Sequence, residues 1–351
     1  MRIRVTLLLL LATACAAVAQ EEDQFLLRYH WNAGDEIIWN VVAETTGTVL
    51  TRDLTKDPVE EKQTPVWSRV MMPMTLIVEE VDEDGNATVL YDVGTMQMDV
   101  EAEGKTQYIV IDPEAGTMTV DGEEQPLPEG TAAGMMGPFR MVISPRGEML
   151  DMELPEGFGM MMGGMPGVDM EDWMKMSQGW AASFPEQPIG IDHVWGTQMA
   201  APLSIEVDEE AGADEAAEEA DETQDAEPTD LPGSVSILYR LLGVQRDGGA
   251  DVVQIEMLGA MDFETLPMPG LPAMDGDGGG MQMTIGPMHM SISGTLDFDV
   301  DAGELVASES TVLMDMKQHM HGTVETPQGE QPIDMEIIMN DLKVVSTVEA
   351  Q

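Results

Sequence analysis

Short runs in which apolar and polar residues alternate recur along most of the chain, as expected for strands that bury one face. Examples are residues 36–45, 74–80, 87–93 and 96–100. Turn-forming clusters separate these runs, and Asp84-Gly85 gives the strongest hairpin signal because both residues tolerate a positive φ. The pattern predicts an all-β, mainly antiparallel protein built from hairpin-connected strands.

Stretches of the first half are echoed in the second half in the same order, which indicates an internal repeat. The three matches pair 34–39 with 190–195, 74–85 with 235–248, and 141–150 with 296–306. We therefore predict two repeated β-meander units, residues 24–156 and 185–349. Their twisted or curved sheets either pack together or join into one larger sheet. The alternative is that all hairpins share such similarity.

The stretch between the two units has a different composition. Residues 157–184 begin with a Gly/Met-rich run and continue with Asp169, a residue type favoured at helix N-termini. Apolar residues then recur at helical spacing until Pro185, which ends the pattern. We predict one connecting helix over residues 169–183.

The N-terminus has the pattern of an export signal, with Arg2 and Arg4 before a short apolar run and small residues. Cleavage between Ala19 and Gln20 is predicted, so residues 1–19 form the signal peptide. The alternative is a lipoprotein, because the residues before Cys15, the only cysteine, resemble a lipidation motif. No apolar run is long enough to span a bilayer as a helix. The predicted location is the periplasm, the cell envelope or the exterior.

Charge narrows the range of partners. The chain has 66 acidic and 15 basic residues, a formal net charge of −51. Such a surface repels nucleic-acid phosphates, so nucleic acid is excluded as a partner. Half of residues 207–230 are Asp or Glu with no aromatic residue between them, which predicts a disordered acidic insertion.

Methionine is the compositional outlier, with 33 residues in the chain. On predicted strands it recurs at every second position, so the two members of each pair share one face. The pairs are Met72/Met74, Met96/Met98, Met281/Met283, Met288/Met290 and Met314/Met316. We interpret these residues as mainly core. The alternatives are a thioether surface that binds copper(I) or a plastic pocket for an apolar ligand.

Histidines near these methionines raise the question of a metal site. The weak candidate ligands are Met288, His289, Met290, Met316, His319 and His321. On a strand His319 and His321 share a face that Met320 does not, so these three cannot grip one ion together. We assign no metal site. Calcium association with acidic turns such as Asp82–Asn86 stays open, although the loop lacks the glutamate of an EF-hand.

Motifs of catalysis are missing from the sequence, including those of hydrolase nucleophiles, zinc proteases, phosphate loops and dinucleotide sites. No pair of carboxylates stands out among so many. We assign no catalytic residue and no cofactor, and predict that the protein is not an enzyme. An uncharacterised hydrolase is the alternative.

Several segments resemble a family of exported bacterial proteins of unknown function. They are 27–35, the hairpin around 84–86, 143–148, and 184–190 followed by Trp195. The family pattern Gly-Asp-x-Trp is lengthened here by Ile191 and by His193-Val194, and the acidic stretch from Val207 resembles an insertion. The resemblance implies export and a β fold, and brings no activity or site residues.

Together these observations favour a non-catalytic protein of the cell envelope that binds an apolar or amphipathic ligand, or another protein, on a curved β-sheet. A binder of calcium or copper is the second hypothesis. The hydrolase is the third.

Overall fold

The structure is a computed structural model that describes residues 24–102, 104–127, 137–153, 183–200, 203–205, 229–231, 233–247, 249–263, 266–271, 281–326 and 329–350. These residues form eighteen strands and no helix. The strands are β1 (Glu36–Asp53), β2 (Glu60–Val81), β3 (Ala87–Val93), β4 (Met96–Ala102), β5 (Lys105–Asp112), β6 (Thr117–Val120), β7 (Glu123–Pro126), β8 (Phe139–Ile143), β9 (Met149–Glu153), β10 (Val194–Ala200), β11 (Leu203–Ile205), β12 (Thr229–Leu231), β13 (Gly233–Asp247), β14 (Ala250–Phe263), β15 (Leu266–Leu271), β16 (Met281–Asp299), β17 (Glu304–Thr326) and β18 (Gly329–Ala350).

Sixteen of these strands form one antiparallel sheet, and β11 and β12 form a separate small one. The main order is β10-β13-β14-β16-β17-β18-β1-β2. The sheet then divides, because the C-terminal half of β2 pairs with β3 and its N-terminal half with β4. One branch continues through β8 and β9, and the other through β5, β6 and β7. The predicted all-β antiparallel fold is confirmed.

The same order of five strands occurs twice in this sheet. It is β1-β2-β3-β8-β9 in the first half of the chain and β10-β13-β14-β16-β17 in the second. Strand β18 joins the two runs by pairing with β17 on one side and β1 on the other. Of the two predicted arrangements, the structure therefore has the single larger sheet.

The sheet curves strongly, as contacts of Phe184 demonstrate. Its backbone N–H donates to the Arg146 carbonyl at 2.8 Å, beside β8, and its ring lies 4.8 Å from that of Phe298 on β16. Five strands separate β16 from β8 in the sheet. At a spacing of about 4.8 Å, a flat sheet would hold these two strands about 29 Å apart. The sheet therefore bends around Phe184, and we call the concave side the inner face.

A glycine allows part of this curvature. A Cβ atom added at Gly294 on β16 would lie 2.3 Å from the Glu309 carbonyl oxygen and 2.9 Å from the Ser310 Cα on β17. Any other residue would clash with backbone there. Glycine within a strand commonly marks such a close approach or sharp bend.

Two buried clusters lie on the inner face. The first is formed by β13, β14 and β16 with the segments 24–31 and 183–189, and includes Leu27, Leu241 and Phe298. The second lies on β2, β3 and β8 and includes Leu76 and Val89. Residues 24–31, the N-terminal segment, connect the clusters. Within this segment Tyr29 stacks on Trp31 of the second cluster and meets the edge of Phe298 of the first.

Several predictions fall on parts of the chain outside the described residues. They concern the signal peptide 1–19 with Cys15 and the cleavage site Ala19/Gln20, most of the connecting helix, and the acidic insertion through residue 228. The last two residues of the predicted insertion, Thr229 and Asp230, are described. They lie in β12, paired with β11, so the prediction of disorder is wrong for them because strand pairing satisfies their backbone groups.

Candidate functional site

The central part of the inner face is an uncharged, mainly apolar surface, which we call the central patch. A cross-strand row is the set of residues that lie directly opposite one another on successive strands. The patch comprises the five consecutive inner-face rows from that of Val41 to that of Val49, across β14, β16, β17, β18, β1 and β2. Its larger half-buried apolar members are Val41, Val49, Val66, Val70, Met72, Met257, Met288, Met290, Ile292, Leu296, Val312, Met314, Met316, Met339, Val344 and Val348. None of the described residues in these rows is Asp, Glu, Lys, Arg or His.

The opposite, outer face of the same strands is charged. Glu44 and Arg52 project from β1, Arg69 from β2, and Glu336 and Lys343 from β18. Glu336 binds Lys317 at 2.5 Å and Arg52 at 3.1 Å, and these partners, Lys317 foremost, lower the pKa of its carboxyl group. In a chain with 66 acidic residues, the rows of the central patch are thus free of charge, whereas the outer face opposite them carries it.

No other described strand covers the central patch. All strand pairs with extensive contact are neighbours in the same sheet, so no second layer packs on the inner face within the described residues. Most side chains of the patch are half-buried, whereas Ile255, Met261, Phe263 and Leu342 in the same rows are buried. Extended apolar surfaces that no layer covers commonly mark sites of protein, membrane or ligand contact.

For the methionine pairs whose side chains are described, both members lie on the same face of the sheet, as period 2 predicted. That face is the inner face. The described pairs are Met72/Met74, Met96/Met98, Met288/Met290 and Met314/Met316, and all eight side chains are half-buried. None of the eight is solvent-exposed, and Met288 and Met290 pack against the first cluster, but none is fully buried either, so the interpretation as mainly core stays a prediction. The side chains of Met281 and Met283 are outside the description.

The weak metal candidates divide between the two faces. Met288, Met290 and Met316 lie on the inner face, where Met290 pairs with the buried Met261 across the strands. The histidines alternate with them and therefore lie on the outer face. There His289 Nδ1 is 2.6 Å from Asp262, and His319 Nε2 is 2.7 Å from Asp334, with His321 next to His319. In the described part of the chain, no three His, Cys, Asp or Glu side chains form a metal-binding group.

The acidic turn Asp82–Asn86 is held by its own hydrogen bonds. The Asp82 carboxylate accepts from the backbone N–H groups of Asp84 and Asn86 and from the Asn86 side chain. The Asn86 amide is the main cause of the lowered pKa of Asp82. Gly85 has a φ of 84°, as the hairpin interpretation required, whereas Asp84 does not have the positive φ expected of it.

Aromatic side chains border the central patch, near the start of β1 and at the β10–β13 edge of the sheet. Trp39 on β1 lies 6.3 Å from Tyr91, and Trp195 on β10 stacks on Tyr239 at 5.6 Å. The indole N–H groups of Trp31, Trp39 and Trp195 are buried and have no hydrogen-bond partner among the described residues. Leaving such a donor unpaired costs about 1–3 kcal/mol. An acceptor oxygen of a bound molecule would remove this cost once the indole turns its N–H group towards it.

Sequence reasoning missed these aromatic residues as site components. The signal was available in the N-terminal segment, where Phe25, Leu27, Tyr29 and Trp31 alternate with polar or exposed residues. Alternation alone indicates a strand, whereas the segment has only the isolated bridge of Phe25 with Ile189. Alternation gave no indication that the segment packs across two clusters, because that depends on strands from both halves of the chain.

Buried phenols give this region a measurable pH response. Burial raises the pKa of Tyr29 and of Tyr239 to about 12, and also raises the pKa of Tyr91. The neutral phenols therefore stabilise the fold fully below the unfolded pKa of about 10, and this contribution is lost as pH rises towards 12. We expect the free energy of unfolding to be lower at pH 11 than at pH 9, by about 1.4 kcal/mol for each of Tyr29 and Tyr239.

Denaturant unfolding at the two pH values measures this loss. Tyr29→Phe removes one ionisable phenol and should reduce the pH dependence by the share of that residue. Equal unfolding free energies of the wild-type protein at both pH values would contradict the burial of these groups.

No family model and no curated protein matches the chain. A structure of lipovitellin concerned with lipid–protein interactions has a TM-score of 0.37 at 9% identity, and covers 91% of this chain but only 25% of lipovitellin. Pseudomonas aeruginosa OpdL has a TM-score of 0.18 at 8% identity, covering 90% of this chain and 99% of its own.

A BenF-like porin from Pseudomonas fluorescens has a TM-score of 0.17 at 8% identity, with 91% of this chain and 100% of the porin covered. At such scores these likenesses do not bear on fold or function. The described residues include no helix long and apolar enough to cross a membrane.

Proposed function

We propose that this protein is an exported, non-catalytic component of the cell envelope that binds an amphipathic molecule on the central patch. The observation that carries the proposal is the uncharged central patch, whose side chains are mostly only partly buried although the chain has a net charge of −51. An apolar chain laid on this face would remove both its own surface and that of the sheet from water. Each buried methylene group contributes about 0.8 kcal/mol.

The shape of the patch suits an extended chain. One cross-strand row contains small residues on four adjacent strands, namely Gly294, Ser310, Ser346 and Ala43. The rows on either side carry larger residues, such as Val41 and Val344. Small residues between larger ones leave a trough across the strands, which is the concave form that ligand sites usually take.

The polar end of the ligand is indicated by the unpaired indole groups. Trp39 pairs across the sheet with Met74 and Ala350, and its N–H is one of the three buried donors without a described partner. An ester or amide carbonyl oxygen is the matching acceptor. By contrast, Trp67 on the outer face donates to Glu44 Oε1 at 3.2 Å.

Net charge selects among amphipathic molecules. The acidic protein repels anionic amphiphiles, and this repulsion weakens as salt screens it. We therefore propose a neutral or zwitterionic ligand with one or two acyl chains and an ester carbonyl. A monoacylglycerol and a lysophosphatidylethanolamine both meet this description.

Equilibrium binding of palmitoyl lysophosphatidylethanolamine below its micelle concentration tests the proposal. We expect saturable binding that is tighter than that of palmitate at low salt. Trp39→Phe keeps the aromatic ring but removes the N–H group, so affinity should fall about fivefold, equivalent to about 1 kcal/mol. The matched control Trp67→Phe should leave the affinity unchanged.

Failure of both monopalmitoylglycerol and the lysophospholipid to bind would contradict the proposed function. Binding that Trp39→Phe and Trp67→Phe weaken equally would contradict the assignment of the polar end. A pull-down in which an envelope protein, but no lipid, is retained would favour a protein partner instead.

A further inference from the structure

Four methionines form a compact group at the β16–β17 pairing. Met288 lies directly opposite Met316, and Met290 lies directly opposite Met314. All four side chains are half-buried on the inner face. We call them the methionine quartet. The β1–β2 pair has no such arrangement, since Met72 lies opposite Val41 and Met74 lies opposite Trp39.

Strand geometry brings the four thioethers within reach of one point. Opposite residues have Cβ atoms about 5 Å apart, and residues two apart on a strand are about 7 Å apart. Each Cβ of the quartet is then about 4 Å from the centre of the rectangle. The sulfur is two bonds beyond Cβ on a flexible, unbranched side chain, so the sulfurs can converge without moving the backbone.

The surroundings of the quartet favour a soft, monovalent ion. The nearest residues in the two rows of the quartet and in the adjacent row are Phe263, Met261, Ile292, Val312, Leu342 and Met339. Carboxylates and imidazoles of these strands, including Asp262, His289 and Asp315, lie on the outer face. Hard divalent cations need oxygen ligands, whereas thioethers select copper(I).

We propose that the methionine quartet binds one copper(I) ion through thioether sulfur alone. The net charge of −51 concentrates cations near the protein, and the half-exposed quartet is open to them. This site differs from the histidine-containing set that the sequence suggested, because it excludes His289, His319 and His321. It also does not depend on the proposed amphiphile.

Competition with a chromophoric copper(I) chelator, under anaerobic reducing conditions, tests the site in the ligand-free mature protein. We expect one copper(I) ion to be held by the quartet, with X-ray absorption showing a shell of sulfur only. The double variant Met288→Leu/Met316→Leu should lose at least about tenfold in copper(I) affinity. Leucine conserves the methionine volume, so the fold should persist.

The matched control is Met72→Leu/Met74→Leu, which removes two inner-face methionines that face no other methionine. This control should bind copper(I) with the wild-type affinity. Equal affinities of the two double variants would overturn the proposal, as would nitrogen or oxygen ligands in the absorption spectrum. Lysophospholipid binding by the same variants is measured separately, so failure of one proposal is distinguishable from failure of the other.

Discussion

Phe298→Ala is expected to lower the free energy of unfolding by about 3–5 kcal/mol, the range for removing a fully buried phenylalanine. Phe298 is 1% exposed, and its ring contacts Phe184 at 4.8 Å and Tyr29 at 5.3 Å. Removing it leaves a cavity where the N-terminal segment, the 183–189 segment and β16 meet. Because these contacts hold the curved sheet around its core, the N-terminal segment should also become sensitive to proteases.

Denaturant unfolding and limited proteolysis measure the two effects. The control is Phe139→Ala on β8, where the ring is half-buried and stacks on Tyr91 at 5.2 Å. The control should cost clearly less stability and leave the N-terminal segment protected. A loss below about 1 kcal/mol for Phe298→Ala would mean that this junction does not stabilise the fold.

The strands and hairpins could be predicted because their signals are local. Alternation over a few residues defines a strand, and Asp84-Gly85 defines the turn between β2 and β3, which pair as predicted. The joining of the two halves is different. Strand β18 pairs with β1 so that Ala350 lies opposite Trp39, a separation of most of the chain. No local pattern specifies such a pairing.

The methionines show where pattern reasoning ends. Period 2 correctly placed Met314 and Met316 on one side of β17, and Met288 and Met290 on one side of β16. The register of the two strands brings both pairs onto the same face of the sheet. Period 2 carried no information about what covers that face. Apolar residues at even spacing are equally compatible with a sealed core and with an open face, and only the tertiary arrangement distinguishes them.

The separation of histidine from methionine followed from the same rule. His319 and Met320 are adjacent in sequence, so they point to opposite faces of β17. The unpaired indole groups could not be predicted at all. Whether the N–H of Trp39 finds an acceptor depends on residues brought together from separate strands, whereas sequence gives only the donor.

The central claim is that the inner face, and not the outer face, binds the amphiphile. Val41 and Val42 on β1 test this claim directly, because they are adjacent, identical and both half-buried. Val41 lies on the inner face between Val348 and Met72, and Val42 lies on the outer face between Thr347 and Met71. Burying a carboxylate under an acyl chain without a partner is strongly unfavourable.

The decisive measurement is the affinity of palmitoyl lysophosphatidylethanolamine for Val41→Asp and Val42→Asp, with circular dichroism to show that both variants fold. Val41→Asp should weaken binding at least about thirtyfold, equivalent to about 2 kcal/mol, and the milder Val41→Thr should weaken it less. Val42→Asp should bind with nearly the wild-type affinity. Equal affinities for the two aspartate variants, or a larger loss for Val42→Asp, would contradict ligand binding on the inner face.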